Sequence, residues 1–460
     1  MKHCILIISI LVSFAGCKKG FLDKPYSNQL VIPGNLDEFQ AILDFTSYLN
    51  KGYPNLGEVS TDDYYVLDSR WQSTTLVYLK NAYIWAADLY EGDRENTPYG
   101  WAYAYRIVFY ANTVLDGLAK IQKTTLNEQS FNAVKGSGFF FRSLGFYLVA
   151  QQFAETYDPQ TASSALGIPL RLNAGIDEPS VRSTVAQTYE QIINDATAAY
   201  DLLPVTTPAK TRPSKAAAAA LLARAYLVMG DYSNALKYAD LSLTDSHDLM
   251  DFNELNVNLG NPIARFNKET VFHALLQPTT FTTITGRRID SVLYKSYEDN
   301  DLRKKIFFKV QADGVLFRGS YDGSAQIFCG LATDEMYLVR AECNARIGKT
   351  QEAMKDLNDL LKTRWLKNPD GSSSYQDQTA LNAEDALHIV LTERRKELVC
   401  RGTRWTDLRR LNLEAAFAKT ITRKILGQTY TLPPKSNRYV LPIPITVLEL
   451  AQIPQNLRTQ

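Results

Sequence analysis

The chain has 460 residues, enough for one large domain or two to three smaller ones. With 45% of its residues hydrophobic it can bury a sizeable core, which excludes a mostly disordered polymer. Lys+Arg (50) and Asp+Glu (49) nearly cancel to a formal net charge of +1, so the electrostatic footprint needed for nucleic acid is missing.

The chain opens with Lys2, an apolar run from Ile5 to Gly16, and Cys17. That run is too short for a membrane-spanning helix, which needs about 20 residues, and it suits the apolar core of a secretory signal. Phe14-Ala15-Gly16-Cys17 resembles the lipobox of bacterial lipoproteins, where small residues precede a cysteine that is diacylated and becomes the new N-terminus. Residues 1–16 are therefore expected to be a signal peptide and Cys17 the lipidation site. Two or three acyl chains anchor firmly, since each buried CH₂ contributes about 0.8 kcal/mol. No later run approaches membrane length, so the chain is expected to be anchored to the membrane without crossing it. Cys4 leaves with the signal, while Cys329, Cys343 and Cys400 are widely spaced and form no CxxC pair. Neither a disulfide framework nor a metal site is expected, and no cofactor.

Helical periodicity dominates the rest of the chain. Apolar positions recur at three- and four-residue spacing over Trp101 to Ile121, Phe139 to Tyr157, Val185 to Leu203, Ser214 to Met229 and Asp231 to Leu243. The same holds for Asp334 to Ile347, Thr350 to Trp365 and Ala383 to Val399. Met229-Gly230-Asp231-Tyr232-Ser233-Asn234-Ala235 aligns with Ile347-Gly348-Lys349-Thr350-Gln351-Glu352-Ala353. A helix, a tight Gly turn and a second helix with Ala at the crossing resembles the tetratricopeptide unit. Gly takes the left-handed conformation that ends the first helix, and Ala lets the second approach closely. The intervening segments look irregular: Gly52 to Ser73, Glu91 to Gly100, the Pro-punctuated stretch 204–215, and Asn368 to Gln378. Val271 to Leu276 reads as a short strand. Ile306 to Val310 and Val315 to Arg318 flank an Asp-Gly turn and read as a hairpin. The expected fold is an all-α scaffold of tetratricopeptide-like helix pairs with long loop insertions and a few short β-hairpins, forming a single domain over 17–460.

Several motifs together resemble the SusD/RagB-type nutrient-binding outer-membrane lipoproteins of the Bacteroidetes, over nearly the whole chain after Cys17. They are Gly20-Phe21-Leu22-Asp23-Lys24-Pro25, Tyr105-Arg106-Ile107 with Ala111-Asn112-Thr113-Val114-Leu115, and Phe141-Arg142-Ser143-Leu144 followed by Gly167-Ile168-Pro169-Leu170. Later come Tyr337-Leu338-Val339-Arg340-Ala341-Glu342, Glu393-Arg394-Arg395-Lys396-Glu397-Leu398, Gly402-Thr403-Arg404-Trp405, and the closing Tyr439-Val440-Leu441-Pro442-Ile443-Pro444. The resemblance implies a surface glycan-binding protein without catalysis. It would face the cell exterior on the outer membrane and pass oligosaccharide to a SusC-like TonB-dependent transporter.

The residues themselves fit that expectation. Glu393 and Glu397 lie four apart among arginines, and the whole charged segment is read as structural: Arg–carboxylate forks that tie the last helices to the scaffold, with Arg340 and Glu342 in the same network. Asp62-Asp63 cannot alone place two carboxyls across one glycosidic bond, because neighbours on an extended segment point apart. His247, His273 and His388 have no metal-ligand spacing, and there is no P-loop, dinucleotide fingerprint or GxSxG. Sugar binding asks instead for exposed aromatic faces with Asp, Asn or Arg at the ring edge. With 26 Tyr, 20 Phe and 5 Trp the chain is rich in such faces. One candidate cluster is Asp62, Asp63, Tyr64, Tyr65, Arg70, Trp71, Tyr83 and Trp85. A second is Tyr294, Tyr297, Phe317, Arg318, Tyr321 and Asp322, whereas Trp101, Trp365 and Trp405 are expected in the core. The rival functions are a lipid-anchored helical scaffold for envelope assembly and a helical glycoside hydrolase.

Overall fold

In the computed structural model, residues 33–92 and 99–459 are described; Cys17 and the expected signal peptide lie outside them. Among the described residues, ten helices of eight or more residues form the scaffold. They are α1 (Leu36–Leu43), α2 (Gly100–Leu118), α3 (Glu128–Phe153), α4 (Val185–Leu202), α5 (Lys215–Met229), α6 (Tyr232–Asp245), α7 (Thr333–Arg346), α8 (Thr350–Lys362), α9 (Ala383–Glu397) and α10 (Arg404–Leu411). From α2 to α8 each packs on the next, and α9 closes on both α7 and α8.

Local chemistry sets the helix ends. Thr184 and Gln187 make a reciprocal capping box at α4, while Ser214, Asp231 and Asn382 cap α5, α6 and α9 through their side-chain oxygens. Gly230 ends α5 at φ +74° and Gly348 follows α7 at φ +83°, so the two aligned turns have the same left-handed geometry. Ala235 and Ala353 after them are fully buried.

Close packing explains the main boundary difference. α3 begins at Glu128, well before the expected Phe139, through a stretch whose glycines disfavour helix in isolation. Tertiary contact overrides propensity there: a Cβ on Gly138 would press on Leu115 at 3.0 Å, and one on Gly145 would meet Val108 at 2.7 Å. The Ala-rich run of α5 serves the same end, and Ala216 to Ala220 are all buried at the centre of the scaffold. The largest apolar cluster extends from Phe39 to Ile453. A second gathers Leu338, Leu357, Val390 and Trp365 between α7, α8 and α9, and Trp101, Trp365 and Trp405 are all buried.

Among the described residues the strands form six two-stranded sheets, with no closed barrel. The expected hairpin pairs Phe308–Gln311 with Gly314–Phe317. The segment read as one strand over Val271–Leu276 is divided: Thr270–Phe272 pairs antiparallel with Leu331–Ala332, and Leu275–Leu276 runs parallel to Lys51–Tyr53. A hairpin of Ile421–Ile425 and Gln428–Leu432, closed by Leu426 and Gly427 with positive φ, lacked a sequence expectation.

The charged segment near the end is internal. Arg303, fully buried, is held by Asp301, Glu393 and Glu397, and Arg364 by Glu269 and Glu397. Arg394 pairs with Asp407 at 2.9 Å and Arg410 bonds both oxygens of Glu342. Arg340 was expected in this network, but its fork goes to Asp356 and Asp240 because it points to the outer side of α7.

Candidate functional site

The insertion between α6 and α7 folds back on the scaffold and opens a cleft of ≈ 440 Å³. One wall is residues 277–284. Gln277 extends the strand pairing, its N–H donating to Tyr53 O at 2.9 Å. Beyond Pro278 the loop is tied by its own threonines: Thr279 N–H donates to Thr282 Oγ1 at 2.9 Å and Thr282 N–H to Thr279 Oγ1 at 3.2 Å. Phe281, fully buried against Tyr83 at 5.4 Å, pins the loop to the core. The loop closes at Gly286, where a Cβ would fall 1.9 Å from Thr280 O.

The opposite wall is residues 324–327. Leu276 N–H donates to Ile327 O at 3.0 Å, joining the two walls at the base. Asp322 sits beneath, accepting from Arg265 Nε at 2.8 Å and contacting His273 Nε2 at 2.9 Å. Burial would raise its carboxyl, yet the bonds from His273, Ser324 and Arg265 hold it down at about 2. Asp322 therefore stays charged at neutral pH and fixes Arg265 on the rim. Next to Arg265, Phe266 is 46% exposed at φ +57° and meets the His273 ring edge-on at 5.0 Å.

The cleft lining is otherwise uncharged: Gln277, Thr282, Thr283, Ser324 and Gln326 supply hydrogen bonds, and Pro278, Ile284 and Ile327 supply apolar surface. Its volume lies within the range of small-ligand sites. The chemistry on offer is recognition of hydroxyls and C–H faces. No pair of carboxylates lines it, as bond cleavage between sugars would need.

Most residues singled out from the sequence have other tasks. Asp62 is clamped by Arg404, Arg395 and Lys419, and Asp63 is buried against Arg395. Trp85 is buried, its Nε1–H donating to Ser60 O at 2.9 Å. Tyr83 lies under the Arg423 guanidinium at 3.7 Å and Tyr64 is buried. Tyr297 donates to Lys396 O and Tyr321 to Glu269 Oε2, both at 2.7 Å from inside the core. Phe317 is buried as well, and Arg318 ties backbone carbonyls of Val257 and Leu259. An aromatic on an inserted loop is drawn inward when that loop packs on the scaffold, because burying its ring removes a large apolar area from water.

Tyr65, Arg70, Trp71 and Tyr294 keep an accessible part. The two candidate clusters do converge: Tyr64–Tyr65 pairs with Arg288–Ile289, and the turn at Gly314 lies against Tyr65 and Arg288. Trp71 is capped by Lys80 at 4.0 Å on one face, and Thr74 behind it reaches Thr280 of the cleft loop at 3.4 Å. The cleft itself leaves little trace in the sequence. The only signal for it was the Thr-rich run from Thr279 to Thr285 between Pro278 and Gly286, a loop dense in hydroxyls.

Helix pairs with a cleft in the inserted loops define a repeat scaffold that carries its open face on the insertions. Residues 20–227 match the family described as "Starch-binding associating with outer membrane", and residues 333–456 match the SusD family. SusD-like protein P2 of Formosa agariphila is 23% identical over 380 residues, 68% of this chain and 71% of that protein. The fold is shared with a putative sugar binding protein from Bacteroides vulgatus (TM-score 0.74, 22% identity, 93% of this chain and 99% of that one). It is shared too with a SusD superfamily protein from Bacteroides thetaiotaomicron (TM-score 0.73, 22% identity, 92% and 100%). The chain belongs to the SusD/RagB family, whose members are carbohydrate-binding, outer-membrane-associated proteins and not enzymes. No described helix is long and apolar enough to cross a membrane.

Proposed function

We propose that the protein is a surface-exposed lipoprotein, tethered through Cys17 after removal of residues 1–16, whose single domain over 17–460 captures an oligosaccharide and passes it to a SusC-like TonB-dependent transporter. The observation that supports this most is the cleft between residues 277–284 and 324–327, with its hydroxyl and amide lining, and the exposed Phe266 next in sequence to its lining residue Arg265. Tyr65, Trp71 and Tyr294, which stay partly accessible, are secondary contacts in this reading. Calorimetry and affinity electrophoresis of the chain lacking residues 1–17, run against a panel of plant, algal and host glycans, test it. Gln277→Ala and Gln326→Ala should each weaken binding about tenfold without moving Tm. If neither substitution alters binding of any glycan that the wild type retains, the cleft is not the site. Labelling with radioactive palmitate that vanishes in Cys17→Ser tests the anchor.

A further inference from the structure

The helix Gly100–Leu118 carries half-buried aromatic residues at the edge of the core. Tyr99 and Tyr103, four residues apart on one face, stack at 5.3 Å with planes 20° apart. The Arg106 guanidinium lies over Tyr103 at 4.2 Å and over Tyr48 at 4.0 Å. Tyr48 stacks in turn on Tyr110 at 6.0 Å, and Phe45, 46% exposed, abuts Tyr48 edge-on. The row Tyr103, Arg106, Tyr48, Tyr110 is half-buried along its length. It begins at the cleft, because the Tyr103 ring and Gln277 Oε1 both crowd the α-carbon of Gly52; a side chain there would meet them at 2.7 and 3.4 Å.

The arginine in this row is unlike those of the interior. Arg303, Arg364 and Arg410 are each matched by carboxylates. Among the described residues Arg106 has no carboxylate within ion-pair distance and no hydrogen-bond acceptor; its Nε is enclosed and unsatisfied, which leaves the Nη groups to solvent. The hydroxyls of Tyr48, Tyr103 and Tyr110 also lack a described protein partner. The helix carries a single acid, Asp116, whose carboxylate is taken by Ala174 N–H at 2.8 Å. Lys51, exposed on the strand beside Gly52, adds a second positive charge. Two rings hold the guanidinium plane in place, so its fork is pre-organised for a carboxylate or sulfate and little side-chain freedom is lost on binding.

We propose that this row is a second contact surface, continuous with the cleft, that takes a negatively charged sugar unit, and that Arg106 is its specificity-determining residue. The cargo is then an acidic oligosaccharide, carrying uronate or sulfate, whose neutral part occupies the cleft; this rests on the cleft being the glycan site. Calorimetry on the chain lacking residues 1–17 should compare oligogalacturonate with its methyl ester, and a sulfated galactan with its desulfated form, at low and high salt. The first pair isolates uronate and the second sulfate. One charged member should bind about tenfold more tightly than its neutral partner, with the advantage shrinking in salt. Arg106→Gln should abolish that advantage while leaving neutral binding and Tm in place, and Arg106→Lys should restore only part of it, since an ammonium lacks the planar fork. Equal binding of both members of both pairs, retention of no charged polymer, or a preference that survives Arg106→Gln overturns the proposal. The cleft assignment is judged separately, by whether Gln277→Ala weakens the neutral polymers.

Discussion

Arg404 and Asp62 are 342 residues apart in the chain and form a bidentate fork, Nε to Oδ1 at 2.7 Å and Nη2 to Oδ2 at 3.0 Å. Arg395 and Lys419 approach the same carboxylate at 3.3 and 2.8 Å. An acid that the sequence offered as a sugar ligand is therefore a clasp between the beginning of the described chain and its last helices.

Burial alone would raise the Asp62 carboxyl, but Arg404, Arg395 and Lys419 outweigh it and hold the group well below the usual carboxylate range. A depressed folded-state pKa gives stability that is present above the ordinary carboxylate pKa and is lost as pH falls through the folded value. Asp62→Asn should therefore cost about 3 kcal/mol at neutral pH, as expected when one partner of a buried ion pair is removed. That cost should shrink in acid, as followed by urea unfolding at a series of pH values. Glycan affinity of the folded variant should match wild type.

Glu58 behaves in the opposite sense. It is buried, and neither carboxylate oxygen has a hydrogen-bond partner; Gly402 N–H and the Cys400 thiol approach without reaching bonding geometry. Burial first, and the charge of Asp63 second, push it up to about 7. A raised folded-state pKa means stability that is full below the unfolded value and is lost as pH rises through the folded one. Between pH about 4.5 and about 7 ionisation of Glu58 should remove about 3 kcal/mol. Glu58→Gln should flatten that part of the profile and make the protein more stable than wild type at pH 8. Identical profiles for the two proteins would show that Glu58 finds a partner on ionising.

Phe266 combines exposure with a left-handed backbone at φ +57°, a conformation that costs a bulky side chain about 1–2 kcal/mol. Phe266→Gly removes that strain and gives back part of the gain as unfolded-state entropy. Stability should stay level or rise by up to about 1 kcal/mol, while affinity for a cleft-binding glycan falls about tenfold. Denaturant unfolding and calorimetry on the same preparation separate the two effects. A destabilised variant with unchanged binding would make Phe266 a packing residue.

The scaffold was legible because helices announce themselves by period. Seven of the expected spans, Val185–Leu203 and Ser214–Met229 among them, agree with the structure to within a few residues, and the paired turns at Gly230 and Gly348 carry the same positive φ. The early start of α3 was not legible, since Gly136 and Gly138 weaken a helix that only its neighbours stabilise. The structural reading of Arg394, Glu393 and Glu397 agrees with the interior ion pairs. The binding face was harder. Whether a loop aromatic points in or out depends on where the loop lands, so Trp85 and Tyr297 look the same in sequence as Tyr65. The cleft depends on a bond between Leu276 and Ile327, and the stacked row on a bridge from Tyr48 to Arg106, neither of which has a periodic trace.

The clasp between Asp62 and Arg404 also bears on how the molecule is made. A ribosome delivers Asp62 and Asp63 long before Arg395, Arg404 and Lys419, so a nascent chain lacking its final helices would have to bury two acids without their counter-charges. The opening segments thus gain the counter-charges of Asp62 and Asp63 only when the last helices dock. Trimming the carboxyl end back past residue 395 should loosen the region around Asp62 as much as its own surroundings.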